Sequence, residues 1–221
     1  ALALISGVLM AFVGLGASRQ ALALMGTPDD VIDQSALYMR IYFCGMPFFM
    51  LYNYGAAVLR AVGDTKRPLL FLCAAGLANV ALDLLLVIVI PLDVAGVAIG
   101  TVASQCISCI LVLRCLYKSE GSYQLRFSRL TIKAVYLKRI FQVGIPAGIQ
   151  STVINFSNVL LQSSVNSFGS TAMAGYTAAN NVLGFLYSAI NAVTQACMSF
   201  TSQNYSVGKQ KRMDRVLADC I

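Results

Sequence analysis

Asp83 is the only acidic residue inside any of the chain's long apolar runs. It lies in LLFLCAAGLANVALDLLLVIVI (Leu69–Ile90), four residues after Asn79. In a helix that spacing puts the amide and the carboxylate on one face. A carboxylate at bilayer depth costs about 2.5–3.5 kcal/mol on insertion scales, so it faces a bundle interior or a wet cavity and by default marks an ion or proton path. The next run opens GVAIGTVASQ after a short turn at Pro91–Gly96. At the helical rise per residue, Asp83 lies roughly 12 Å below Pro91 and Thr101 roughly 10 Å below Val94. Two antiparallel helices would then bring a carboxylate, an amide oxygen and a hydroxyl to one depth. Hard oxygen donors suit Na⁺, and a desolvated carboxylate suits proton carriage. The expectation is a cation-coupling site at Asp83, Asn79 and Thr101, open to Na⁺ or H⁺. The competing reading is a structural tie between helices. Gly96 and Gly100, four apart, permit close approach of neighbouring helices.

A second polar pattern lies further on. Ser151, Asn155, Asn158 and Gln162 have offsets of 0, 4, 7 and 11, which is one helical stripe. Ser188, Asn191 and Gln195 repeat it in the next run, with Asn180 and Asn181 higher up. Such stripes are expected to line a cavity for a small-molecule substrate; interhelical hydrogen bonds of about 0.6 kcal/mol each are the plainer alternative. The run Ser35–Leu59 carries Arg40, Pro47, Asn53 and seven aromatics. Pro47 should kink it. Its aromatics suit an apolar or cationic substrate, or a belt at the membrane interface. Arg19 and Arg40 flank an acidic loop and are expected to snorkel towards it.

These groups must be held by membrane-spanning helices. The chain has 221 residues, is 58% hydrophobic and is only 11% charged, against about 25% charged in soluble domains. Six runs are long enough to span a bilayer: Leu2–Met25, Ser35–Leu59, Leu69–Pro91, Val94–Leu116, Ile140–Phe168 and Thr171–Phe200. They are continuous rather than alternating, so they read as helices and not barrel strands. The fold expected is an all-α polytopic helical bundle of about six transmembrane helices.

Charge placement supports that count. Fourteen of the sixteen Lys and Arg residues fall in or beside three connections, Arg60–Arg67, Arg114–Arg139 and Lys209–Arg215. The alternating connections carry none, and they hold Asp29, Asp30, Asp33 and Asp93 instead. The basic connections should face the cytoplasm, which places the chain in the cytoplasmic membrane. The net charge of +7 is thus a topology signal rather than a nucleic-acid surface. Residues 1–116 form four spans, 117–139 a basic linker, and 140–221 two further spans with the beginning of a third. Thr131–Arg139 fits a short amphipathic surface helix. The chain opens without Met in an apolar run and stops at RVLADCI, so it is expected to be a piece of a longer protein.

Seven Cys suggest small apolar fillers rather than a disulfide framework, and Cys106–Cys109 lacks a second pair. There is no His and no GxxxxGK[ST], which removes His-based catalysis and an ATP cradle. An enzyme is not expected, and no cofactor beyond a coupling ion.

LYNYGAAVLRAVGDTKRPLLF, LANVALDLLLV and AGVAIGTVASQ together resemble the multidrug and toxic compound extrusion (MATE) family. IFQVGIPAGIQSTVINFSNVLLQSSVNSFGSTAMAGYTAANNV looks like the start of that family's second bundle. The resemblance implies twelve helices in two bundles, exporting drugs against inward Na⁺ or H⁺ flow by alternating access. It implies that this chain carries helices three to eight, with the remaining helices as its partners, alongside substrate and membrane lipid. It also implies the cation role of Asn79, Asp83 and Thr101, together with an Asp on a first helix this chain does not contain. Where some members carry a Glu in the second bundle, Ile154 stands here. A flippase for lipid-linked precursors, or a non-transporting scaffold, are the alternatives.

Overall fold

The computed structural model describes residues 1–24, 29–119, 123–125, 134–166, 168 and 170–220. Eight α-helices are present among them: α1 (Leu2–Leu24), α2 (Asp29–Cys44), α3 (Met46–Ala61), α4 (Lys66–Leu84), α5 (Asp93–Lys118), α6 (Ala134–Asn166), α7 (Ser170–Ser206) and α8 (Gln210–Cys220). A π-helical turn, Leu85–Val89, continues α4. The chain divides into two compact units, Ala1–Thr131 and Ile132–Ile221.

Among the described residues, four stretches emerge as single helices long and apolar enough to cross a membrane: Leu2–Ala23, Lys66–Val89, Asp93–Lys118 and Ala174–Ser206. The expected span Ser35–Leu59 is split into α2 and α3, each of 16 residues. Pro47 has no N–H to give to the preceding turn, and the chain breaks just before it, at Gly45, whose N–H turns to the Tyr42 carbonyl at 2.9 Å. The fifth expected span is α6, 33 residues with Pro146 inside and Ser, Asn and Gln interleaved among its apolar residues. Ala134–Arg139 is no separate surface helix: it forms the first turns of α6, because no breaker separates it from Ile140 onward. Thr131–Lys133 lie outside the described residues.

In the first unit, α1 packs on α2 and α3, and α5 packs on α2, α3 and α4. Small residues set these approaches. A Cβ on Gly7 would meet the Pro47 Cα at 2.6 Å, and one on Gly14 would strike the Phe43 ring. Gly55 lies against Val112. Beneath it, Leu59, Val112 and Leu116 form a buried cluster, with Tyr52, Phe71, Tyr123 and Leu125 packed on it. The backbone folds back here, since the Leu125 N–H donates to the Leu116 carbonyl at 3.0 Å.

In lipid, where tails are as apolar as Leu, such a cluster holds helices by packing contacts. Leu59→Ala should therefore destabilise the chain by about 2–5 kcal/mol through the cavity it leaves. Leu69→Ala, at a side chain 60% exposed, should cost well under half of that. Unfolding of the detergent-solubilised chain in mixed micelles compares them, and equal costs would contradict this packing.

In the second unit α6 packs on α7, and α7 on α8. Gly208, at φ +71°, ends α7 in the left-handed region that favours glycine. The eleven-residue α8 follows, where the sequence suggests the opening of another span.

Candidate cation site

Asp83 stands on the last turn of α4, half-buried, with its side chain towards α5. The Asn79 amide Nδ2 donates to Asp83 Oδ1 at 3.3 Å, as the four-residue spacing requires. The carboxylate rests on Gly100: a Cβ there would fall on Asp83 Oδ1, with Asp83 Cγ at 3.3 Å and its backbone N at 3.5 Å. Gly100 is buried, and its missing side chain is the seat of the carboxylate. Sequence reasoning gave Gly96 and Gly100 a general role in helix approach. The identity of the group that each admits required the register of α4 against α5.

Thr101 is the next residue along α5, half-buried. Its hydroxyl donates to the Val97 carbonyl of its own helix at 2.9 Å. The oxygen keeps lone pairs with which to bind a cation. The structure thus brings Asn79 and Asp83 into a direct bond and sets Asp83 against α5 at Gly100, while Thr101 is held by its own backbone. Among the described residues no three His, Cys, Asp or Glu side chains converge. The groups gathered here are the Asp83 carboxylate and the Asn79 amide, with the Thr101 hydroxyl one residue beyond Gly100 on α5.

The π-helical turn begins two residues after Asp83. The Ile90 N–H bonds the Leu85 carbonyl at 3.1 Å and the Leu92 N–H the Leu86 carbonyl at 2.9 Å. Gly96 admits this widened turn, since a Cβ there would sit 3.0 Å from the Leu86 carbonyl oxygen. Such insertions are found frequently at functional sites. No residue type in LLVIV signals it. Asp93 opens α5 at φ +45°, a conformation that Asp tolerates better than most residues.

One helical turn beyond Thr101, Gln105 reaches the α2–α3 break. Its Oε1 is buried without a hydrogen-bond partner among the described residues, 2.7 Å from where a Cβ on Gly45 would be. A lone Gln in an apolar run carries no spacing signal in the sequence.

The second-unit stripes are helical as expected, and their described side chains are exposed. Asn155 donates to the Ser151 carbonyl at 2.8 Å and Ser188 to the Gly184 carbonyl at 2.9 Å, so these groups bond their own helices. Ser151, Asn158, Asn191 and Gln195 are exposed. The Gln162 side chain lies outside the described ones. In α2, Tyr38 and Tyr42 stack at 6.2 Å between ring centroids. Arg19 pairs with Asp33 at 3.2 Å, both well exposed, an ion pair of little energetic weight. All seven cysteines are free.

A sequence model of the MatE family matches residues 1–85 and 146–221. The chain belongs to the MatE family. Asn79 and Asp83 fall inside the first matched segment; Gly100 and Thr101 fall between the two. This MatE chain is 32% identical to the probable multidrug resistance protein YpnP of Bacillus subtilis over 95% of its own length and 47% of that protein's. It is 23% identical to the multidrug export protein MepA of Staphylococcus aureus, with 96% and 47% covered. It spans about half the length of the curated relatives it matches. Among solved structures, a MATE crystal structure in a bent conformation matches with a TM-score of 0.86 at 20% identity, covering 99% of this chain and 49% of that one. A MOP superfamily transporter from Pyrococcus furiosus matches at 0.87 and 20%, with the same coverage. At such identity these establish the fold: an all-α bundle that spans about half of the structures it matches. With its apolar helices and transporter relatives, this MatE chain is an integral membrane protein.

Proposed function

We propose that this chain is the central part of an antiporter that exports small, often cationic, organic compounds across the cytoplasmic membrane, driven by Na⁺ or H⁺ through alternating access. Helices α1–α5 belong to its first bundle and α6–α8 to the start of its second, joined by the basic linker. The basic connections face the cytoplasm. The observation that carries the reading is the Asp83 carboxylate, borne by a helix apolar enough to cross the bilayer, held by Asn79 and seated on Gly100. A group so costly to bury is retained where its charge is used. One carboxylate flanked by amide and hydroxyl oxygens exchanges a cation readily: Na⁺ would take the oxygens as ligands, and H⁺ would take the carboxylate alone. Relatives named for multidrug resistance and export support the class of cargo.

The test is dye efflux from proteoliposomes holding the full-length parent protein, under a Na⁺ gradient and separately under a pH gradient. Efflux driven by one gradient is expected and names the ion. Efflux equal with and without either gradient would sink the reading.

A further inference from the structure

We infer that the cavity between the start of α4 and the end of α5 binds the phosphate of an anionic membrane lipid. The cavity measures about 440 Å³ and is lined by Arg67, Cys115, Lys118, Ser119 and Tyr123. Three chain segments build it: the first turn of α4, the last turn of α5 and the returning strand of backbone at Tyr123–Leu125, which the Leu125–Leu116 hydrogen bond pins down. It is therefore a shaped site rather than a scatter of surface charge.

The Arg67 guanidinium, on a side chain 56% exposed, has a contact on each of two sides. Its Nε lies 3.3 Å from Asp64 Oδ2, and its Nη1 lies 3.8 Å from Cys115 Sγ. A positioned guanidinium presents planar donors that match phosphate oxygens. Lys118, exposed on the last turn of α5, adds a second cation beside the Arg67–Asp64 pair. Ser119 donates its hydroxyl to the Cys115 carbonyl at 2.7 Å. That leaves Arg67, Lys118 and the Tyr123 hydroxyl as the donors for an incoming anion.

Depth points to a lipid as the source of the phosphate. Arg67 stands at the polar end of a helix long and apolar enough to cross a membrane, and the side chains that follow it, Leu69, Leu70 and Leu72, are 60%, 64% and 55% exposed. A headgroup in the cavity would leave its acyl chains alongside that apolar face. Basic groups beside a span attract anionic lipids in this way.

The experiment is native mass spectrometry of the full-length protein titrated with phosphatidylglycerol, phosphatidylcholine or glycerol 1-phosphate. Phosphatidylglycerol should bind to the wild type, and Arg67→Gln with Lys118→Gln should weaken it about tenfold or more, as expected for lost charge-assisted hydrogen bonds. The charge-matched pair Lys209→Gln with Lys211→Gln should leave it within about twofold, well below such a loss. Arg67→Lys with Lys118→Arg keeps both charges and should retain most of the binding, which separates loss of ligand from loss of fold. Equal weakening by both Gln pairs, or equal binding of phosphatidylcholine, would overturn the proposal. Glycerol 1-phosphate binding as tightly as the lipid would reassign the site to a soluble phosphate and overturn the lipid source.

Discussion

Asp83→Asn in the full-length parent protein is expected to cut gradient-driven efflux sharply while leaving the fold in place. The substitution keeps size and shape and removes only the charge. The Asn79 amide donates to Asp83 Oδ1, and an amide oxygen at position 83 can accept the same bond. A role as a helix tie would therefore survive the change almost intact. A coupling role would not, because a neutral amide neither takes up a proton nor balances Na⁺. Coupling free energies of about 1–3 kcal/mol correspond to roughly 5–150-fold effects, and a loss in that range is the expected result. Protein level and thermal unfolding, measured beside efflux, keep the two roles apart. Efflux and gradient dependence matching the wild type would reduce Asp83 to a tie.

Gly100→Ala should produce a comparable loss without replacing any polar group. The added methyl would occupy the place of Asp83 Oδ1. Either the carboxylate swings off α5 and gives up its bond to Asn79, or α4 and α5 spread apart. Overpacking of this kind costs about 1–3 kcal/mol, partly offset by the better helix propensity of Ala, near 1 kcal/mol. Gly76→Ala in the same apolar stretch is the comparison, since nothing lies within 4 Å of its Cβ position. In the chain itself it should be neutral or stabilising by about 0.5–1 kcal/mol. In the full-length protein, Gly100→Ala should lower efflux roughly tenfold, within the range set by coupling, and Gly100→Ser should do no better. Full activity in Gly100→Ala would mean that the carboxylate does not work from its seat on α5.

The Asn79–Asp83 pair was legible in the sequence because its geometry is local: four residues of helix fix it, whatever surrounds them. The family was legible for a related reason, since the blocks Leu51–Phe71 and Leu77–Val87 are each short, continuous stretches of sequence. The break before Pro47 was legible from proline chemistry, but Gly45, where the helix parts, was not, because its place depends on Pro47 packing under Gly7. Gly100 stood out as a small residue; that it serves a carboxylate depends on how two helices meet. Gln105 carried no periodic signal, and only the approach of α5 to Gly45 buries its oxygen. The stripes on α6 and α7 were legible as stripes. What a stripe faces is a property of neighbouring helices, and here Asn155 and Ser188 bond their own backbone.

The widened turn Leu85–Val89 makes the aim of Asp83 a matter of counting. A π turn holds one residue more than an α turn, and each residue turns a helix by about 100°. The helix on one side of the insertion is thus rotated against the other by about that angle, and Gly96 is cut to admit the bulge. Five aliphatic residues with no chemistry of their own therefore act as a fixed angular offset between the Pro91–Asp93 turn and the carboxylate. Their number is what points Asp83 at Gly100.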